Sequence, residues 1–236
     1  MYFDIHSHIL PTVDDGSADM TESLELLRLM QAQGITDVIA TPHFYPQEDN
    51  LTDFSQMISE TFEELSKRAV RNGLPKIYLG CEMLYFKGIG SSTSLGELCL
   101  NGSDFLLLEL AEEAICDALF EDILAMRNNL GITPIIAHIE RYCKSKNYRK
   151  LIKFVLTEEI PVQVNALSLS IPILNRAVSK LIKNGVSFVI GTDTHSVDFR
   201  PPMLSQALAI IEKKHGTELK EQIVENSRLL FKKIVG

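Results

Sequence analysis

Phe3-Asp4-Ile5-His6-Ser7-His8-Ile9-Leu10 is the stretch from which the architecture unfolds. Its apolar residues and β-branched Ile5 predict a buried strand over 3–10. Strand residues two apart share a face, so His6 and His8 aim their imidazoles together while Ser7 points away. Paired imidazoles are a common start of a transition-metal site. Taken alone, such a pair is more often two ordinary polar positions. The weight comes from the further candidate ligands, each at the end of its own predicted strand.

Six more strands are expected, at 37–43, 76–84, 104–110, 133–139, 161–167 and 187–193. Helical periodicity fills the gaps at 22–33, 53–72, 117–130, 148–159 and 173–184, and again at 202–215 and 218–234. Thr21 is the expected cap of the first helix and Gly34 its stop. Residues 86–103, rich in glycine and serine, read as an irregular excursion. The result is seven βα repeats with near-continuous apolar strands, hence a parallel sheet covered on both sides. No glycine-rich phosphate loop follows the first strand, which argues against an open doubly wound sheet. The fold class expected is α/β: a distorted (β/α)7 TIM-like barrel, with 1–236 as a single domain. The histidines and several acids fall at C-terminal strand ends, the rim where βα barrels build active sites.

Composition narrows the function. The 236 residues are 45% hydrophobic, ample for a core, and the net charge of −8 argues against nucleic acid or an anionic membrane surface as partner. Met-Tyr-Phe-Asp at the start has no basic region or long apolar run, so no signal peptide is expected. No window approaches the roughly 18 apolar residues of a membrane span. Cys81, Cys99, Cys116 and Cys143 form no CxxC pair, which suits reduced thiols and a cytoplasmic protein.

The rim candidates are His6, His8, Asp14 or Asp15, His43, Glu82, Glu109, His138, Asp193 and His195. Singly, Glu109 or His43 reads as a buried polar group satisfied by backbone. Together, four carboxylates in a low-dielectric cleft repel strongly, and five histidines neutral at pH 7 do not offset them. Divalent ions do. Histidine and carboxylate without cysteine suit manganese, iron or zinc better than a magnesium or calcium cage. Nine ligands suffice for three ions if carboxylates bridge, leaving a centre of roughly +2 that suits a phosphate dianion. A bridging water of lowered pKa would then attack phosphorus in line. Arg141 and Arg200, in rim loops after His138 and His195, are candidates for bidentate phosphate contacts. Cys143-Lys-Ser-Lys-Asn-Tyr-Arg149 formally matches the Cys-x5-Arg of cysteine phosphatases, but its bulky residues do not suit a phosphate-wrapping loop.

These motifs resemble the PHP (polymerase and histidinol phosphatase) superfamily and, within it, the bacterial manganese-dependent tyrosine-protein phosphatases of capsule and exopolysaccharide operons. The resemblance rests on Asp-Ile-His-Ser-His-Ile-Leu-Pro-x-Val-Asp-Asp-Gly at 4–16 and Thr-Pro-His at 41–43. It rests equally on His-Ile-Glu-Arg-Tyr at 138–142 and on Asp-Thr-His with Arg-Pro-Pro within 193–202. It implies three metals, manganese first, with iron, zinc or magnesium as alternatives. His6, His8, Glu82 and Asp193 would surround one ion with Glu82 bridging, Glu109 and His138 would serve a second, and Asp15, His43 and His195 a third. Arg141, Arg200, His138 and Glu109 would carry the chemistry. The implied substrate is the phosphorylated tyrosine cluster of a bacterial tyrosine kinase, with no nucleic acid and no membrane span; the oligomeric state stays open. Alternatives are a histidinol-phosphatase-like phosphomonoesterase, a nuclease-type PHP domain, or a non-catalytic phosphotyrosine-binding regulator.

Overall fold

Each of the seven expected strands forms, two of them in two pieces. The computed structural model describes residues 1–92 and 94–236, so Thr93 of the expected excursion lies outside the described residues. The strands are β1 (Tyr2–Ser7), β2 (Ile35–Ala40), β3 (His43–Phe44), β4 (Lys76–Leu79), β5 (Glu82–Leu84), β6 (Phe105–Glu109), β7 (Thr133–Ile136), β8 (Gln163–Asn165) and β9 (Val189–Gly191). Between and after them lie α1 (Met20–Ala32), α2 (Leu51–Arg71), α3 (Asp117–Leu130), α4 (Tyr148–Glu158), α5 (Pro172–Lys183), α6 (Leu204–His215) and α7 (Thr217–Val235). Every strand pair is parallel. The order is β1-β2-β4, β3-β5-β6-β7 and β8-β9, and single parallel bridges join Ser7 to Thr194 and Ile136 to Val162. Pairing therefore follows chain order in three arcs rather than one unbroken ladder. No helix among the described residues is long and apolar enough to cross a membrane.

Three expectations are corrected. The strands at 37–43 and 76–84 break at matching heights. Pro42 has no N–H to donate, and Gly80 lies so close to Leu100 that a Cβ would sit 2.5 Å from Leu100 Cδ2. Pairing resumes across the break, with Gly80 N–H donating to Ala40 O and Glu82 N–H to Pro42 O. The first strand ends at Ser7 rather than Leu10, although His8 N–H still donates to Thr194 O at 2.8 Å. Finally, Asp19 and not Thr21 caps α1: its carboxylate accepts from the N–H groups of Thr21 and Glu22. A carboxylate at this position also complements the positive end of the helix dipole.

The strands are buried on both faces, as the apolar runs required. Ile5, Ile39, Leu107, Ile135 and Val189 build an inner core, while Val38, Leu106, Leu108, Ile136 and Ile190 pack on the helix side. Leu230, Phe231 and Ile234 of α7 join the inner core at the strand starts, where Phe231 stacks on Phe3 at 4.7 Å. That end is plugged with hydrocarbon. The opposite end holds the polar groups. A register shift between Asp4 and Ser7 sets three steps of β1 against two of β2. Such a bulge re-aims neighbouring side chains, so Ile5 reaches the apolar core and the adjacent His6 reaches the polar rim.

Candidate metal centre

All nine candidate residues converge at the C-terminal ends of the strands. His6 lies one residue before the end of β1, His43 opens β3, Glu82 opens β5 and Glu109 closes β6, while His138 lies just beyond β7 and Asp193 and His195 just beyond β9. Around a first point, His6 Nε2 lies 3.2 Å from His8 Nε2, 3.1 Å from Glu82 Oε2 and 3.4 Å from Asp193 Oδ1. His8 Nε2 completes the set, 3.3 Å from Glu82 Oε2 and 3.5 Å from Asp193 Oδ1. All four side chains are buried. A second group forms on the other side of Glu82. His138 Nε2 is 2.8 Å from Glu82 Oε1 and 3.4 Å from Glu109 Oε1, and His43 Nδ1 is 3.2 Å from Glu82 Oε2. In the third, Asp15 Oδ1 faces His195 Nε2 at 3.3 Å and His43 Nε2 at 3.6 Å, with His8 close by.

The two adjacent aspartates separate by geometry. Asp14 Oδ2 lies 2.7 Å from His8 Nδ1 and accepts the His43 N–H, and Oδ1 accepts the Gly16 N–H. Asp15 is largely exposed and turns its carboxylate to His43 and His195. Gly16 makes this loop fit: a Cβ there would lie 2.3 Å from His8 O and 2.9 Å from Asp14 Oδ1.

Charge compensation without an ion falls on protons. Burial alone would depress the His8 imidazole, but hydrogen bonding with Asp14, Asp193 and Glu82 holds it well above its ordinary value. His6 is likewise raised, burial being outweighed by Glu82 and Asp193. Burial pushes His195 down to about 4, with charged His8 adding to it. Burial and the neighbouring Glu82 push Glu109 up to about 7. Glu82 and Asp193 are buried yet held well below the carboxylate range, chiefly by His6.

Arg141 and Arg200 meet on one atom. Arg141 Nη2 donates to Asp193 Oδ2 at 2.7 Å, Arg200 Nη2 donates to the same oxygen, and Arg200 Nη1 lies 2.8 Å from His195 Nε2. A family model described as "Capsular polysaccharide synthesis, CpsB/CapC" matches residues 2–232. The chain belongs to the CpsB/CapC family. The tyrosine-protein phosphatase CpsB of Streptococcus agalactiae serotype III (strain NEM316) is 31% identical, over 97% of this chain and 98% of its own. Among solved structures, those of YwqE from Bacillus subtilis and CpsB from Streptococcus pneumoniae are described as unique metal-dependent tyrosine phosphatases. The match to them has a TM-score of 0.87 and 26% identity, covering 98% of this chain and 94% of theirs. A histidinol phosphate phosphatase from Lactococcus lactis matches with a TM-score of 0.60 at 14% identity, over 90% and 93%. That likeness concerns the fold alone, and it agrees with the expected PHP architecture.

Within this CpsB/CapC chain, several site residues were given no role from the sequence, although Tyr142 closes the motif His-Ile-Glu-Arg-Tyr at 138–142. Gln163 and Asn165 of β8 are buried against His6 and Asp193; their only mark is i, i+2 spacing in an apolar strand. The Tyr142 hydroxyl accepts the Leu110 N–H at 2.9 Å and lies 3.2 Å from His138 Nδ1. Tyr45 stacks on His43 with ring centroids 5.3 Å apart. Cys143 is in none of the ligand groups formed by the described residues. Three N–H groups of the Cys143 stretch are spent locally, Ser145 on Tyr142 O, Asn147 on Ser145 Oγ and Tyr148 on Ser145 O. They are not free to wrap a phosphate.

Proposed function

We propose that this chain is a metal-dependent protein-tyrosine phosphatase, a single domain over 1–236. Three divalent ions, manganese first, would be held by His6, His8, Asp15, His43, Glu82, Glu109, His138, Asp193 and His195. The observation that carries the reading is Glu82: a buried carboxylate whose two oxygens face the imidazoles of His6, His8, His43 and His138. The residues fit such ions on three counts. Buried His43 Nδ1 has no hydrogen-bond partner although Glu82 Oε2 is 3.2 Å away. His6 Nε2 and His8 Nε2 face each other at 3.2 Å, a contact between two lone pairs unless a proton or cation intervenes. The donors of this first group also stand at separations suited to metal bonds of about 2.0–2.2 Å. When bound, the ions would polarise phosphoryl oxygens and acidify a water at neutral pH.

The protein's own residues supply orientation. Asp193 Oδ2 gathers both guanidinium groups at one place, and a phosphate dianion offers them more charge and more oxygens than one carboxylate atom. Arg141 and Arg200 would pass from Asp193 to the phosphate and hold it against the donor cluster. Tyr142 and Asp14 steady the rings of His138 and His8. A phenolate leaving group, with a pKa near 10, needs little help from a general acid.

The relatives' names favour phosphotyrosine over other phosphomonoesters. We assign as substrate the C-terminal tyrosine cluster of a bacterial tyrosine kinase, in the cytoplasm, with control of capsule or exopolysaccharide synthesis as the outcome. The test is phosphate release from a phosphotyrosine peptide with manganese, with EDTA and with a thiol alkylating agent, beside histidinol phosphate as competitor. Activity that requires manganese, survives alkylation and prefers the peptide is expected. Preference for histidinol phosphate would move the protein to another substrate, and loss on alkylation would bring Cys143 back.

A further inference from the structure

Gln163 and Asn165 stand two residues apart on β8, exposed by only 0% and 2%. Buried amides of this kind persist where each polar atom finds a partner. One contact fixes the direction of all the others. The backbone N–H of His138 can only donate, and it does so to Gln163 Oε1 at 2.7 Å. The oxygen end of this amide is thereby assigned, so Gln163 Nε2 is the donor to Asn165 Oδ1 at 2.7 Å. Asn165 Nδ2 is then the donor to Asp193 Oδ2.

The same Gln163 oxygen lies 3.2 Å from His6 Nδ1. An amide oxygen only accepts, so His6 keeps a proton on Nδ1. Its lone pair is left on Nε2, the atom that faces His8, Glu82 and Asp193. At the far end of the chain, Oδ2 of Asp193 is engaged and Oδ1 turns to that same point. Space for the amide comes from Gly191 of β9: a Cβ there would sit 2.9 Å from both Gln163 Nε2 and His6 Cβ.

We propose that Gln163 and Asn165 are positioning residues of the metal centre, a polarised amide relay that holds His6 as its Nδ1–H tautomer and keeps Asp193 Oδ1 inward. The relay rests on the metal-centre reading above and not on the phosphotyrosine substrate. Partners behind metal-bound histidines and carboxylates set ligand orientation, and their loss typically costs about 10–100-fold in affinity.

The test is titration of the metal-free chain with Mn2+ alone, by calorimetry and by the electron paramagnetic resonance of free Mn2+. Circular dichroism checks the fold of each variant. Gln163→Leu removes the acceptor and should weaken Mn2+ binding about 10–100-fold. Gln163→Glu keeps an acceptor for the His138 N–H and His6 Nδ1 but sets a second acceptor against Asn165 Oδ1, so it should recover only the part of that loss carried through His6. Should Gln163→Leu not fold, Asn165→Ala, which removes the donor to Asp193 and the acceptor of Gln163 Nε2 but leaves Gln163 Oε1 to His138 and His6, should show a fall of the same order. Unchanged Mn2+ affinity in a folded Gln163→Leu or Asn165→Ala overturns the relay, as does equal loss in the Leu and Glu variants. Normal Mn2+ binding without phosphotyrosine turnover would sink the substrate and leave the relay standing. No Mn2+ binding by the unaltered chain would sink both.

Discussion

Asp193 divides its two oxygens between two tasks. Oδ1 looks to His6 and His8, and Oδ2 to Arg141, Arg200 and Asn165. Its backbone is left-handed, with φ of 51°, as is that of His138 at 32°. Non-glycine residues avoid that region unless their surroundings hold them there, and such strain gathers at functional sites. Here the hold is hydrogen bonding of the two N–H groups: Asp193 N–H donates to the backbone carbonyl of His6, and His138 N–H to the side-chain oxygen Oε1 of Gln163. Arg200 is fixed from behind, its carbonyl accepting from His195 N–H and Thr194 Oγ1. With the backbone held in this way, the guanidinium, under the proposed function, would serve mainly to hold substrate. Losing a hydrogen bond to a charged group costs about 1.5–3 kcal/mol, or about 10–100-fold. Arg200→Ala should therefore raise KM by that order while kcat falls less. Arg200→Lys should recover only part, because an ammonium lacks the planar fork. Steady-state kinetics on a phosphotyrosine peptide check this, and unaltered constants would leave Arg200 as a partner of Asp193 and His195 with no part in holding substrate.

At the scale of elements, the turn from His8 to Ser17 decides which aspartate faces the cluster. It closes on itself through Ser17 N–H to His8 O and Thr12 N–H to Ser17 O. Gly16 sits where a methyl group would strike the His8 carbonyl, so Gly16→Ala must open the turn. The expected result is fewer manganese ions bound per chain with helix content kept, since Asp15 and the Asp14–His8 contact ride on this turn. Metal analysis beside circular dichroism reads both, and full manganese loading in the variant would refute the role given to the turn. Sequence alone placed every α-helix of the described residues to within a few residues, because amphipathic spacing survives any detail of packing. It placed His43, Glu82 and His195 because ionisable groups at strand ends stand out against apolar runs. It could not separate Asp14 from Asp15, identical neighbours told apart only by the direction of the turn. Nor could it choose Asp19 over Thr21 as a cap, both being good capping residues. Gln163 and Asn165 were silent for a different reason: buried amides carry no charge and leave an apolar strand still looking apolar.

For the whole molecule, the net charge of −8 is partly a local matter, since Asp14, Asp15, Glu82, Glu109 and Asp193 gather at one rim. Without metal, protons on His6 and His8 offset them, both imidazoles being raised. A histidine whose folded pKa exceeds its unfolded value of about 6.5 stabilises the fold fully below that value. The stabilisation is lost as pH rises through the folded pKa. Glu82, Asp193 and Asp14 are lowered, Asp14 to about 2 because its contact with His8 outweighs burial. Their contribution is present above the unfolded carboxylate range and is lost only as pH falls through the folded values. Metal-free protein should therefore lose stability as pH rises from about 6 to about 8. Manganese must displace the imidazole protons, so its affinity should rise over the same interval, with protons released on binding. The two effects add. The gain in Tm on adding manganese to EDTA-treated protein should widen steadily with pH. Thermal melts across that interval check it; a gain that narrows would mean that His6 and His8 are not the groups the metal deprotonates.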